Sequence, residues 1–184
     1  MIYFTSDLHI GHKNILKYQQ DTRPYTDIDE HDKWIIDTIN STCTKKDELY
    51  VLGDISVSQS QLIQEKLKKI DPHIFLVRGN HDHWKESQEA KLFERVWDYR
   101  IVHWDKQRIV CFHFPIEEWN RCEWGDIHLH GHCHGSCPTV KTNRFDIGWD
   151  VHKRPVSIDE ILSWKNTNEE HWVTHHDLVI TNRR

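Results

Sequence analysis

The first half of the chain alternates short apolar runs with stretches of helical periodicity. The apolar runs cover 2–6, 48–52 and 73–77, and each is short and bounded by turn residues, as buried strands are. Between them, 26–43 and 58–70 place their apolar residues on one stripe of a helix. This βαβαβ order predicts a mostly parallel sheet whose strands all end at one edge.

Side chains that can cap helices support three of the predicted helix starts. Thr26 or Asp27 precedes the first helix and Ser58 precedes the second. A short side chain that carries an oxygen can accept a hydrogen bond from a free amide at a helix start. Ser157 and Glu160 have the spacing of a capping box and predict a third helix.

The second half has the periodicity of strands joined by short connections. After a helical stretch that ends near residue 95, predicted strands cover 96–104, 108–114, 126–130 and 144–149, and a last edge strand covers 172–180. We therefore expect a second group of strands within a single domain that spans 1–184.

Composition excludes several classes of protein. With 37% hydrophobic residues, no run approaches the ~20 apolar residues of a membrane span, and residues 1–7 have the pattern of a strand and not of a signal peptide. The five cysteines are an odd number without regular spacing, which favours reduced thiols and a cytoplasmic location. A net charge of −5 provides no general basic field for nucleic acid.

The sixteen histidines make metal chemistry the first hypothesis to test.

Carboxylate, imidazole and amide groups follow most of the predicted strands. The candidate residues are Asp7, His9, Asp54, Asn80, His81, Asp82, His113, His132 and His134. Such a mixture suits Mn, Fe or Zn better than Mg or Ca, which prefer oxygen alone. The set is too large for one tetrahedral ion, and a closed structural zinc site would use cysteine. Two metal ions that share one carboxylate would use the whole set.

The densest of these segments contains a glycine between a predicted strand and two histidines. Gly131 allows the backbone to approach neighbouring groups closely. His132 and His134 are two residues apart, so in an extended segment both rings would point to the same side. Such a pair needs further ligands from other parts of the chain.

The order of these motifs resembles that of the calcineurin-like metallophosphoesterases. The matching motifs are Asp7-x-His9, Gly53-Asp54, Gly79-Asn80-His81-Asp82, a lone His113 and Gly131-His132-x-His134. The segments 145–150 and 154–157 resemble the end of small bacterial and phage members. In one departure, no second carboxylate follows Asp54 three residues on, as it does in some relatives. The resemblance implies an α/β fold, a four-layer αββα sandwich of two mixed β-sheets flanked by helices.

The resemblance also implies a role for each motif residue. One metal ion would be held by Asp7, His9, Asp54 and His134, and the other by Asp54, Asn80, His113 and His132, so that Asp54 bridges them. A hydroxide between the ions would attack phosphorus, His81 would be the general acid, and Asp82 would orient it. The two divalent ions would be manganese, with iron, zinc, nickel or cobalt as alternatives.

Other polar residues have weaker patterns. The substrate-binding candidates are His12, Arg23, Asn143 and Arg144. Each could line a phosphate pocket or could instead be an ordinary loop or helix-end residue. Cys133 and Cys137 lie near two histidines and could form a zinc knuckle, an alternative that the carboxylate-rich set disfavours.

The sequence predicts a metal-dependent phosphoesterase, and the resemblance favours phosphodiesters over monoesters. Because the chain lacks a net basic charge, we expect small exposed substrates, such as nucleotides or nucleic-acid ends, to be preferred to long duplex DNA. The alternatives are a phosphatase for nucleotides or phosphoproteins and a non-catalytic scaffold that uses metal to hold protein partners. Scaffolds of that kind commonly lose His81 or a metal ligand, and this chain keeps them all.

Overall fold

The computed structural model describes residues 1–137 and 143–168, with side chains given as far as residue 165. The helices are α1 (Ile15–Tyr18), α2 (Ile28–Thr42), α3 (Gln61–Leu67), α4 (Glu86–Leu92), α5 (Trp149–His152) and α6 (Ile158–Asn168), with a 3₁₀ turn at Cys122–Trp124. The strands are β1 (Ile2–Thr5), β2 (Glu48–Val51), β3 (His73–Val77), β4 (Arg95–Trp97), β5 (Arg100–Trp104), β6 (Gln107–Cys111), β7 (Ile127–His130), β8 (Arg144–Asp146) and β9 (Val156–Ser157).

The strands form two sheets, with orders β4-β3-β2-β1-β9 and β5-β6-β7-β8. In the first sheet β1 to β4 are parallel, and β9 is antiparallel to β1. In the second sheet β5 and β6 are antiparallel, and β6, β7 and β8 are parallel. The predicted α/β fold of two mixed sheets with flanking helices is confirmed.

Alternation along β2 directs neighbouring side chains into two different cores. Leu49 and Val51 pack with apolar residues of α2 and α3. Tyr50 and Leu52 pack between the sheets, in a cluster that includes Leu129 of β7. The first sheet is therefore buried on both faces, which explains the continuous apolar runs of its strands.

The prediction of one strand over 96–104 is wrong. Strand β4 ends at Trp97 as the edge of the first sheet, and β5 begins at Arg100 as the edge of the second. The chain changes sheets in between. A local apolar pattern cannot show this change, because both strands have the same periodicity.

The helix caps agree with the sequence at one position and differ at another. Ser157 and Glu160 form the predicted capping box, in which the Glu160 N–H donates to Ser157 Oγ at 3.3 Å. Helix α3, however, begins after Ser60, whose Oγ accepts a hydrogen bond from the Ile63 N–H. Ser58 is therefore not the cap, and the helix starts two residues later than expected.

The chain after β7 also departs from the predicted strand pattern. Strand β8 ends at Asp146, and Trp149 begins helix α5 instead of extending the strand predicted over 144–149. The predicted edge strand over 172–180 lies outside the described residues. None of the described helices combines the length and the apolar character required of a membrane-spanning segment.

Removing a large side chain from the core between the sheets should cost substantial stability. Leu129 is fully buried, so Leu129→Ala should lower the free energy of unfolding by ~2–5 kcal/mol. Leu62 is 65% exposed, so the matched control Leu62→Ala should change it by no more than ~0.5 kcal/mol. Urea denaturation with a chelator present measures both variants. Equal effects would contradict the description of this core.

Candidate metal centre

The strand ends of both sheets meet at one place, where hydrogen bonds connect the segments that leave them. The Asp7 N–H donates to the Gly53 carbonyl at 3.0 Å, which joins the ends of β1 and β2. The Gly131 N–H donates to the His113 carbonyl at 2.9 Å, which joins the ends of β7 and β6. The His132 N–H donates to Asp7 Oδ2 at 3.0 Å and so connects the two sheets. The fold thus brings together motifs that are far apart in the sequence.

The predicted ligands include several residues with a left-handed backbone. They are Asp7, His9, Asp54, His132 and His134, with φ of 57°, 51°, 53°, 68° and 47°. Each such residue costs about 1–3 kcal/mol and persists only where surrounding contacts fix it, often at functional sites. The expectation that His132 and His134 lie in an extended segment is therefore wrong. A turn at each residue, and not strand alternation, sets the direction of each ring.

Two glycines permit the close approach of these segments. A Cβ at Gly131 would collide with Ser6 Oγ and Asp7 Oδ2, so only glycine lets this loop lie against β1. Gly53 has a φ of 90°, and a Cβ there would collide with His113 Nδ1. Any larger residue at either position would push the motif segments apart.

Two clusters of side chains have potential ligand atoms that all lie within 4.8 Å of one another. The first contains Asp7, His9 and His134, and the second contains Asp7, Asp54 and His113. Asp54 Oδ2 lies 3.8 Å from His9 Nε2 and 3.5 Å from His113 Nε2, so it faces one ring of each cluster. Both carboxylates therefore lie between the clusters, whereas the family resemblance implies a bridging role for Asp54 alone.

Burial and neighbouring charges set the protonation of these groups. Burial raises the pKa of Asp7 to about 6, although the His113 ring favours the charged carboxylate. Burial also opposes the charge on Asp54, but the hydrogen bond and charge of His113 outweigh it and lower the pKa to about 2. Burial, followed by the Arg23 guanidinium, lowers the pKa of His9 to about 2. The His9 ring is therefore neutral, the form that binds metal.

The donor atoms fit divalent cations. His9 Nε2 is buried without a hydrogen-bond partner among the described residues, and such an atom in a native protein requires an explanation. His113 Nδ1 donates to the Leu52 carbonyl at 2.8 Å. Its Nε2 lies 3.1 Å from Asn80 Oδ1 and 3.5 Å from Asp54 Oδ2. Burial opposes a charge on this ring, but the hydrogen bond and charge of Asp54 outweigh it and raise the pKa of His113. A metal ion can take the place of that proton and stabilise the same acceptor oxygens.

Of the two histidines that follow Gly131, His134 belongs to the first cluster and His132 lies beside the second. The ring centroids of His132 and His113 are 5.1 Å apart, and those of His134 and His9 are 5.2 Å apart. Neither cluster found among the described residues contains a cysteine. The zinc-knuckle alternative therefore gains no support.

His81 lies on the open side of the centre. Its side chain is 44% exposed, and Nε2 lies 3.9 Å from Asp54 Oδ2. Its ring centroid is 5.8 Å from that of His9 and 6.2 Å from that of His12. His81 is a member of neither cluster, so its imidazole is available to a substrate.

Asp82 does not orient His81, which corrects the predicted role. Its Oδ2 accepts hydrogen bonds from the N–H groups of Asp54 and Gly79 at 2.7 and 2.9 Å, and Oδ1 accepts from the Ile55 N–H at 3.2 Å. None of the hydrogen bonds described for this carboxylate involves the His81 ring. The ends of the parallel strands β2 and β3 leave free amides side by side, and Asp82 binds them. It fixes the backbone that carries Asp54.

Of the predicted substrate-binding residues, only His12 lies at the centre. Its Nδ1 is 3.3 Å from His9 Nδ1. Arg23, Asn143 and Arg144 are at most 4% exposed. Asn143 and Arg144 donate to backbone carbonyl groups. The prediction that these three bind substrate is wrong, because each is enclosed by the fold and used within it.

Arg23 instead holds two parts of the centre together through Asp150, whose role the sequence did not reveal. Arg23 Nε and Nη2 donate to the two oxygens of Asp150 at 2.9 and 2.7 Å, and Nη2 also donates to the Asp7 carbonyl at 2.6 Å. Asp150 Oδ2 accepts from His134 Nδ1 at 2.6 Å, which leaves His134 Nε2 for a metal. The only sequence signal was that Asp150 belongs to a segment with a family resemblance.

Comparison with known proteins gives relatives whose roles are largely undescribed. The chain is 29% identical over 170 residues to the uncharacterized protein MJ1445 of Methanocaldococcus jannaschii, covering 88% of this chain and 89% of that protein. Among solved structures it matches AQ665 of Aquifex aeolicus, a protein of unknown function, with a TM-score of 0.72 and 21% identity over 89% and 98% of the two chains. No protein-family model matches.

A more distant match is YfcE, a phosphoesterase from E. coli, with a TM-score of 0.47 and 16% identity over 80% of this chain and 77% of that one. The two-sheet fold and the convergence of the five motifs are those that the sequence resemblance implied. The fold thus groups the motif residues on which that resemblance rests into one candidate metal centre.

Loss of the Asp150 charge should weaken metal binding. Asp150→Asn should lower manganese affinity by ~10–100-fold, because carboxylates that hold a ligating histidine contribute about this much. Asp98→Asn is the matched control, since Asp98 also pairs with an arginine, Arg78, at 3.0 Å but has a side chain that is 83% exposed. Isothermal titration calorimetry measures affinity, and circular dichroism checks folding. Unchanged affinity in folded Asp150→Asn would contradict this role.

Proposed function

We propose that this chain is a phosphoesterase that uses two divalent metal ions and prefers phosphodiesters. The observation that carries the proposal is the pair of clusters that share Asp7, with Asp54 facing a ring of each. When bound, the two ions would supply charge stabilisation for the phosphoryl group and a water of lowered pKa. Their mixed oxygen and nitrogen ligands suit manganese.

The chain contributes fixed ligand positions. Asp7, His9, Asp54, Asn80, His113, His132 and His134 would hold the ions. Hydrogen bonds from the chain orient two of these rings, at His113 Nδ1 and His134 Nδ1. Rings held in this way lose little freedom when substrate binds, and positioning is the main contribution of proteins to phosphoryl transfer.

His81 would donate a proton to the leaving oxygen. Its ring is exposed, belongs to neither cluster and lies beside the centre, which is the position required of a general acid. Such a group typically contributes ~10²–10⁴-fold to the rate. Among the described residues, the hydrogen bonds of Asp82 go to amides and an indole N–H, so the backbone of His81 is what positions it beside the centre. The His81 N–H donates to Asp54 Oδ1 at 3.0 Å.

The buried arginines favour a diester over a monoester. A monoester carries a further negative charge, which enzymes commonly bind with a guanidinium group. Arg23 and Arg144 were the predicted cationic candidates, and both are enclosed by the fold and used within it. The alternative of a phosphatase for nucleotides or phosphoproteins therefore lacks its expected residues. The exposed His81, together with the full ligand set, disfavours a non-catalytic scaffold.

Turnover of model substrates tests the substrate class. With matched manganese, bis(p-nitrophenyl) phosphate should be hydrolysed faster than p-nitrophenyl phosphate or plasmid DNA, because Arg23 and Arg144 are enclosed by the fold and the chain has no net basic charge. His113→Ala, which removes a ligand, should abolish the activity. Faster turnover of the monoester would favour the phosphatase alternative, and metal binding without any turnover would favour the scaffold.

The role of His81 as an acid predicts a dependence on the leaving group. His81→Ala should lose little activity with nitrophenolate, which departs without a proton, and ~10²–10⁴-fold with a ribose or alkyl leaving group. His103→Ala, at an exposed position of β5, is the matched control. Metal content should equal that of the wild type. Equal losses for both leaving groups, or loss of metal, would show that His81 is a ligand or a structural residue.

A further inference from the structure

Three aromatic side chains form a continuous track that begins at the metal centre. The Phe114 ring centroid lies 4.7 Å from that of His132 and 4.9 Å from that of His113. The Phe112 ring lies 5.6 Å from Phe114, and the Tyr99 ring lies 6.1 Å from Phe112. We call Phe114, Phe112 and Tyr99 the aromatic track.

The second sheet places this track on the surface. Arg100 pairs with Cys111 at the end of the β5–β6 ladder, so Tyr99 and Phe112 face each other one step beyond it. Tyr99 is 43% exposed and Phe114 is 36% exposed, and Phe112 is partly buried. Single exposed aromatic residues are ordinary. Here three aromatic rings adjoin one another, and the first of them packs against two predicted metal ligands. An apolar patch of this kind marks a binding site.

We propose that the aromatic track binds the bases of a single-stranded nucleotide phosphodiester whose reacting phosphate lies at the metal centre. This inference rests on the proposed function and names its substrate class. Nucleobases stack on exposed aromatic rings with little regard to sequence. A nucleotide chain alternates phosphates and bases, so it matches a surface on which a cation site adjoins aromatic rings.

The same features exclude other diesters as the best substrates. An alkyl diester would engage the metal centre and leave the track uncovered. In a duplex the bases stack on one another and are not available to side chains. The net charge of −5 provides no basic field for a long duplex backbone, so affinity must come from stacking and from the centre itself.

Oligonucleotides that differ only in their bases test this proposal. The substrates are a thymidine tetranucleotide and the same backbone with every base removed, and chromatography follows their cleavage with manganese. In the wild type, kcat/KM should be on the order of tenfold higher for the tetranucleotide that carries bases, the effect expected of one or two stacked bases. Phe114→Ala and Tyr99→Ala should raise KM for that substrate alone. Trp124→Ala is the matched control, because Trp124 is 73% exposed but pairs with Arg121 outside the track.

Binding measured without metal provides a readout independent of catalysis. The track contains no metal ligand, so calorimetric titration of the chelator-treated protein should show tighter binding of the base-bearing tetranucleotide than of its abasic counterpart. Phe114→Ala and Tyr99→Ala should reduce that difference. Manganese content shows whether Phe114→Ala has disturbed His113 or His132. If Phe114→Ala has lost manganese, the result for Tyr99→Ala decides the test, because the Tyr99 ring packs on Phe112 and not on His113 or His132.

The outcomes separate this inference from the function on which it rests. Equal kcat/KM for the two substrates in the wild type, or equal losses on both in Tyr99→Ala, would overturn the aromatic track as a base-binding surface. Turnover of bis(p-nitrophenyl) phosphate without cleavage of the tetranucleotide would overturn the substrate class and leave the phosphoesterase proposal standing. Absence of turnover with all of these substrates would overturn both.

Discussion

The close packing of acidic and lone-pair groups at the strand ends is the constraint on which this structure depends. Asp7 and Asp54 are almost fully buried in a place that also contains several imidazole rings, and unpaired charges are costly in such surroundings. Backbone hydrogen bonds offset part of this cost. The His132 N–H donates to Asp7, and the His81 N–H donates to Asp54. The remaining lone pairs lie close together, which makes this place a candidate site for cations.

Residues outside the chemistry keep the strained backbone of this centre in place. Arg23 donates to the carbonyl of Asp7 and to Asp150, while Asp82 binds the amides of Asp54 and Gly79. Both side chains are buried, and each is satisfied by groups that come from different segments of the chain. Because left-handed conformations persist only where contacts over-determine them, these two residues are part of what makes the ligand positions stable.

The centre is asymmetric, and the asymmetry determines what it can do. On its closed side, the buried Arg23 and Asp150 hold His134. On its open side, His81 and Phe114 are exposed next to the ligands. We therefore expect a substrate to approach from the open side. There it meets an imidazole that can give a proton and aromatic rings that can stack.

The sequence by itself determined most of the strands and the identity of the ligand-bearing segments, because periodicity and residue chemistry are local properties. The fold of two mixed sheets was instead implied by the family resemblance of the motifs. The sequence placed Asp7, Asp54 and His113 at or just beyond strand ends, and parallel strands then had to bring them together. Only the tertiary structure decided how side chains pair across distance. Arg23 and Asp150 are 127 residues apart in sequence. No local pattern could therefore show that Arg23 binds a carboxylate of the protein and not a substrate. The partners of Asp82 and the change of sheet after Trp97 could not be predicted for the same reason. Each depends on which segments become neighbours when the two sheets pack.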